Sequence, residues 1–247
     1  MTRRVALITG GMGGIGTAVC RKLAKSNGNV VVANCLPGYA RKDEWLEGMR
    51  RDGFDVHGAE GDVADFESTA AMVKKIEAEV GPIDILVNNA GVVRDNMLRK
   101  MALSEWMAVI NSNLNSVFNV TKNVIDGMTD RGWGRVVNMS SVNGQKGQFG
   151  QTNYSAAKAG VHGFAKALAQ EVIRKGVTVN SVSPGYVETD MVKAIRKDVL
   201  DKLIAGIPIG RLAQPDEIAS LVAFLTSEEA GYITGANIAI NGGMYMT

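Results

Sequence analysis

The stretch VALITGGMGGIG, Val5 to Gly16, sets a short run of strand-forming residues against a cluster of glycines. The first part reads as a buried strand. The glycines permit a tight turn, close approach of the backbone to a diphosphate, and close packing of the next helix on the strand. Strand, glycine turn and helix in that order open a dinucleotide-binding unit, with Gly10, Gly14, Ile15 and Gly16 in the turn and the start of the helix. The same region, two arginines followed by an uncharged run, imitates a secretory leader. GGMGGIG makes a poor helical segment, however, because each glycine costs about 1 kcal/mol against alanine.

Outward from this unit the alternation continues. Strands are expected at 29–34, 54–59, 83–89, 135–140, 177–183 and 236–240. Helices are expected at about 40–52, 66–80, 104–129, 154–175 and 215–227. Strand followed by helix, again and again, predicts one α/β domain over residues 1–247, with a seven-stranded, mainly parallel, doubly wound sheet covered by helices on both faces. Ligands of such sheets sit beyond the carboxyl ends of the strands. Residues just after each strand are therefore the ones to inspect.

Composition narrows the classes. A chain of 247 residues with 46% hydrophobic content buries a full core, and its 29 glycines are dispersed rather than gathered in a linker. The net charge of +2 comes from mixed signs, without the basic, aromatic-interleaved stripe of a nucleic-acid binder. No apolar run is long enough to span a membrane. Two cysteines, Cys20 and Cys35, argue for a cytoplasmic chain with both thiols packed as small apolar groups. Two histidines, His57 and His162, stand apart from any metal-like cluster, and His162 reads as a helix-packing residue.

After the second strand, a site for NAD would place an acid against the ribose 2′-hydroxyl. Asn34, Cys35 and Leu36 occupy that place, while Arg41 and Lys42 follow closely and would neutralise a 2′-phosphate. The expected cofactor is therefore NADPH/NADP+. GDV, Gly61 to Val63, after the third strand puts Asp62 and Val63 near the adenine. NNAG after the fourth puts Asn89, Ala90 and Gly91 near the ribose.

QTNYSAAKAG, Gln151 to Gly160, places a tyrosine four residues before a lysine in a segment rich in helix formers, with Asn153 as the expected N-cap. Tyr154 and Lys158 therefore share a helix face. A phenol titrates near pH 10, and a nearby cation lowers that value, so the pair makes an acid-base group for near-neutral work.

These motifs occur in order: T-G-x-x-x-G-x-G, NNAG, a serine ahead of the helix, Y-x-x-x-K and Pro184-Gly185. Over its whole length the chain resembles the short-chain dehydrogenase/reductase family. The resemblance implies a catalytic set of Asn113, Ser141, Tyr154 and Lys158, with Ser140 the adjacent candidate to Ser141. Tyr154 would protonate the carbonyl oxygen, Ser141 hold it, Lys158 lower the tyrosine pKa and grip the nicotinamide ribose, and Asn113 support a water behind the lysine. Pro184 and Gly185 would lie on the cofactor. VNGQKGQFGQTNYS and PGYVETDMVKAIRKDVLDK resemble the branch that reduces acetoacetyl-CoA with NADPH for bacterial polyhydroxybutyrate synthesis. That resemblance implies an acyl site of Ser141, Gln148, Phe149, Gln151, Tyr154 and Tyr186; separately, the helical pattern at about 189–209, bounded by Pro184-Gly185 and Pro208, is expected to form a substrate lid. The resemblance also implies a homotetramer, packed through Ala156, Ala157, Ala159, Gly160 and Gly163. Candidates for the coenzyme A phosphates are Arg94, Arg99, Lys100, Lys193, Arg196 and Lys197. A thioester of acyl-carrier protein is the alternative substrate, and a non-catalytic NADP(H) sensor the alternative class.

Overall fold

A computed structural model describes residues 3–26, 28–189, 192 and 196–246. Its centre is a sheet of seven strands: β1 (Val5–Ile8), β2 (Val30–Cys35), β3 (Val56–Glu60), β4 (Ile83–Asn88), β5 (Gly134–Met139), β6 (Val177–Pro184) and β7 (Asn237–Ile240). They lie in the order β3-β2-β1-β4-β5-β6-β7, and every pairing is parallel. The order reverses at β1, so a crevice opens between β1 and β4 at their carboxyl ends.

The helices are α1 (Gly14–Lys25), α2 (Lys42–Arg51), α3 (Phe66–Glu79), α4 (Leu103–Ile110), α5 (Ser116–Asp130), α6 (Val142–Lys146), α7 (Thr152–Val172), α8 (Lys197–Ala205) and α9 (Pro215–Leu225). Successive strand residues point to opposite faces, and each face has its own core. Ala6, Ile8, Val31 and Val87 pack with Val19 and Leu23 of α1 and with Ile218, Val222 and Leu225 of α9. Val5, Leu7, Val32 and Leu86 pack with Val73 and Ile76 of α3, Val120 and Val124 of α5, and Ala165 and Ala169 of α7. Both faces of the central strands are buried, which is why these strands read as continuous apolar runs rather than alternating ones. Edge strand β3 buries only Val56 and exposes most of the rest of VHGAE, which is correspondingly polar.

Boundaries shift where local chemistry differs from pattern. Helix α7 begins at Thr152 with Gln151 at its cap, so Asn153 is not the N-cap: it is fully buried, and its amide donates to the Arg94 carbonyl. The expected helix at 104–129 is two helices joined by a π-helical turn, Asn111–Asn115. Of the small residues expected at an interface, Ala157 is spent in the protomer's own core and Gly160 faces Leu114 of the same chain. Ala156 and Ala159 are exposed. The proposed lid falls partly on residues outside the described ones, as does Lys193.

Candidate active site

The cleft at the switch point holds about 560 Å³ and is lined by Gly10 and Gly13 to Gly16, Asn89 to Gly91, Arg41, Asn113, Tyr154, Lys158 and Pro184, among others. Sequence segments from five strand ends, those of β1, β2, β4, β5 and β6, thus meet in one space. The loop after β1 turns through Gly10 at φ +58, and a β-carbon on Gly16 would lie 2.4 Å from the Gly10 carbonyl oxygen. Only glycine permits that turn and that contact together. Helix α1 starts bare: Gly13 at its cap gives no side-chain hydrogen bond, and no acid lies in its first turn. Unpaired N–H groups and the positive end of the helix dipole therefore face the cleft, which fits a diphosphate.

Two side chains at strand ends, Asn34 and Thr9, lock this loop. The Asn34 Oδ1 accepts from the Gly10 N–H at 3.2 Å while its Nδ2 donates to the Gly61 carbonyl at 2.9 Å. Asn34 is thus turned inward, and is a brace for the glycine turn instead of a vacant acid position. Thr9 Oγ1 accepts from the N–H groups of both Asn89 and Ala90, and Asn89 returns its amide to the carbonyls of Thr9 and Gly10. Buried polar residues at strand ends are the available signal for such braces, because each must find a partner.

Arg41 lines the cleft with its side chain 71% exposed, 3.6 Å from Glu44. Lys42, expected beside it, is not there: its ammonium is bound to Glu60, whose carboxylate also takes the Gly38 N–H. That bond raises the lysine pKa and lowers the glutamate's, each opposite charge favouring the other. Asp62 and Val63 do not line the cleft. The Asp62 carboxylate caps its own turn through the Ala64 N–H, and Val63 is buried with its carbonyl taking the Asn119 amide. Gly185 likewise lines a neighbouring cavity of about 290 Å³, together with Tyr186 and Ile207.

At the deep end, three consecutive residues from the end of β5 meet α7. The Met139 carbonyl accepts from Lys158 Nζ at 2.7 Å. Ser140 Oγ donates to the Lys158 carbonyl at 2.8 Å. Ser141 acts on the Tyr154 phenol, lowering its pKa, and caps α6 by accepting from the Asn143 N–H. The two serines thus divide: Ser141 faces the phenol, and Ser140 faces the helix backbone. Asn113, 1% exposed, gives its amide to the carbonyls of Val92 and Val109, which leaves its buried Oδ1 unpartnered beside Gly91. The π turn supplies this placement by pushing one residue out of helical register.

Electrostatics here differ from the simple pairing read from sequence. Lys158 has no carboxylate partner, and burial pulls its pKa down to about 8. The Tyr154 phenol is raised, by burial first, against the Ser141 hydrogen bond that lowers it, with Asp95 adding a smaller upward push. Lys158 Nζ stands 5.7 Å from the centre of the tyrosine ring, and burial, not this cation, sets the direction of the phenol's shift. The lysine therefore does not depress the resting phenol.

The acyl-site candidates separate. Phe149 projects at 84% exposure, and Gln148 Oε1 accepts from Lys146. Gln151 is fully engaged, its Nε2 on both oxygens of Asp95 and its Oε1 taking the Asn143 amide. Asp95, one turn of loop beyond NNAG, is a site residue that no motif announced. Among the cation candidates Arg196 is paired with Asp198 and Arg94 folds back on the Val93 carbonyl, whereas Arg99 and Lys100 stand exposed in a 3-10 turn.

With this geometry in place, the comparisons define the class. The short chain dehydrogenase family model matches residues 4–200, and the chain belongs to that family. It is 63% identical over 246 residues, all of both chains, to an acetoacetyl-CoA reductase of Cupriavidus necator. It is 59% identical to the acetoacetyl-CoA reductase of Allochromatium vinosum, over 98% of this chain and 99% of that one. The 3-oxoacyl-[acyl-carrier-protein] reductase of Vibrio harveyi is 47% identical, over 98% of each. The chain is an oxidoreductase of this family, with the nicotinamide cofactor that such enzymes use.

Proposed function

We propose that the chain reduces the 3-keto group of acetoacetyl-CoA to (R)-3-hydroxybutyryl-CoA with NADPH, supplying polyhydroxybutyrate synthesis. The observation that carries this reading is the convergence of Ser141, Tyr154 and Lys158 on the deep end of the cleft, in a chain 63% identical to an acetoacetyl-CoA reductase. When bound, the reduced nicotinamide would supply the hydride. The glycine turn and the bare end of α1 would hold its diphosphate, Arg41 its 2′-phosphate and Lys158 its ribose, with Asn113 supporting a water.

The chain's own work is on the proton. An ordinary phenol is protonated at neutral pH, and burial raises the Tyr154 pKa further, so it has a proton to give to the substrate oxygen. Ser141 holds that oxygen and stabilises the phenolate left behind. Lys158, a buried ammonium without a counterion, gains one when the phenolate forms, so its attraction is strongest where charge develops. General acid catalysis of this kind contributes about 10²- to 10⁴-fold. Asn113, with its free Oδ1, would seat the water that returns a proton through the lysine.

We further propose a homotetramer in the cytoplasm. The test is oxidation of NADPH with acetoacetyl-CoA, run beside NADH and beside the same acyl group on acyl-carrier protein. Faster turnover of the CoA ester with NADPH supports the assignment. Preference for the carrier-protein ester moves the enzyme to fatty-acid synthesis, and preference for NADH removes the role given to Arg41. No reduction of any 3-ketoacyl ester would favour the sensor.

A further inference from the structure

His162 lies one helical turn beyond Lys158, on the side of α7 that faces the sheet. Its Nε2 is 2.7 Å from Ser140 Oγ and 3.2 Å from Ser183 Oγ. Ser140 is 5% exposed and Ser183 is fully buried, so neither hydroxyl turns to solvent for a partner. Each hydroxyl has one proton. That of Ser183 goes to Asn237 Oδ1 at 2.7 Å, and that of Ser140 to the Lys158 carbonyl at 2.8 Å. Both oxygens therefore offer only lone pairs to the imidazole. A bare Nε2 would face two of them with no proton between, at the cost of unmade buried hydrogen bonds. The arrangement closes only if Nε2 carries the proton and shares it between the two serines.

We propose that His162, as the Nε2–H tautomer, is a positioning residue for Tyr154 and Lys158, acting through Ser140 and Ser183; this rests on the reductase reading above. The imidazole bridges the carboxyl ends of β5 and β6, with β7 joined through Asn237. By occupying the Ser140 lone pair it directs the Ser140 proton to the Lys158 carbonyl. That bond fixes the turn of α7 carrying the acid-base pair against the strand end that holds Met139 and Ser141. Burial, with Lys166 and Lys158 nearby, lowers the His162 pKa and so favours the neutral ring, in which the bridge selects the Nε2–H tautomer.

The experiment compares His162→Leu with His162→Gln, whose amide N–H reaches toward the same two oxygens. His162→Leu should lower kcat on the order of 10- to 100-fold, the size expected of a sub-ångström shift in reacting groups. The KM for cofactor and thioester should change less than about threefold, as no side chain lining the cleft is replaced. His162→Gln should recover most of kcat. A leucine variant with wild-type kcat, or a glutamine variant no better than leucine, overturns the proposal. If His162→Leu does not fold, Ser183→Ala carries the test: it removes one acceptor and should reduce kcat with KM preserved, and an unchanged kcat rejects the role. The tautomer is read separately from imidazole nitrogen shifts in histidine-labelled protein, simple here because the chain has two histidines. A protonated Nδ1 with bare Nε2 refutes the bridge even if the enzyme proves to use another substrate, so this failure and failure of the reductase reading are told apart.

Discussion

The two ends of the sheet treat charge in opposite ways. At the amino ends of the strands, the guanidinium groups of Arg4 and Arg135 lie 3.8 and 4.5 Å from the centre of the Trp133 ring, and Glu228 takes the Trp133 indole proton and pairs with both arginines. Arg135, 4% exposed, also donates to the carbonyls of Ser227 and Gly134. Beside it Arg131 pairs with Asp84 at 3.2 Å. At the carboxyl ends, Lys158 is as deeply buried with one carbonyl for company, and Asn113 and Asn143 each keep a buried oxygen without a partner. The first arrangement stabilises the fold. The second leaves charge and lone pairs for a ligand to complete, at a cost to stability that active sites commonly carry.

The comparison can be broken first at Tyr154. Tyr154→Phe should lower kcat by about 10²- to 10⁴-fold while leaving cofactor affinity within about twofold; steady-state rates and a binding titration check both, and a small loss would move the proton donor elsewhere. Arg135→Ala probes the opposite end. It should cost about 3 kcal/mol in chemical denaturation, because it strips a buried donor from carbonyls and a partner from Glu228, with turnover per folded molecule unchanged. A variant equally stable but less active would erase the contrast.

Lys158→Met sharpens the contrast, since it should inactivate the enzyme yet stabilise it. The drop in lysine pKa from 10.5 to about 8 corresponds to roughly 3 kcal/mol at neutral pH. The sign follows from proton counting: between pH about 8 and 10.5 the unfolded chain binds the extra proton, so wild-type stability from this group rises with pH across that window. The melting advantage of the methionine variant should therefore shrink as pH rises through it. A constant advantage would mean that lysine burial is not the source.

The smallest effects concern the cofactor's phosphate. Arg41→Ala should raise the KM for NADPH about tenfold and leave that for NADH alone, consistent with one exposed charge-assisted contact. Lys42→Ala should change either by less than about twofold, because that ammonium is committed to Glu60. Equal losses from both substitutions would show that the lysine leaves its glutamate when phosphate binds.

The fold was legible because strand runs such as VVVANC are continuous apolar stretches with turn residues between them, and burial on both faces enforces that pattern whatever the rest of the chain does. The glycine turn and the Tyr154 to Lys158 spacing were legible for a related reason. Backbone conformation and helical period act over a few residues, so a short motif fixes them. The direction in which Lys42 turns, the division of labour between Ser140 and Ser141, the inward brace of Asn34 and the engagement of Gln151 by Asp95 were decided only in three dimensions. Each depends on a partner distant in the chain or on a local rotamer choice made by packing. The same holds for the pKa of Tyr154: the sequence spacing, with a cation four residues away, predicts a lowered value, whereas the tertiary structure supplies the burial that raises it against the lowering by Ser141. Desolvation is a property of everything that surrounds a group, and no spacing along a chain encodes it.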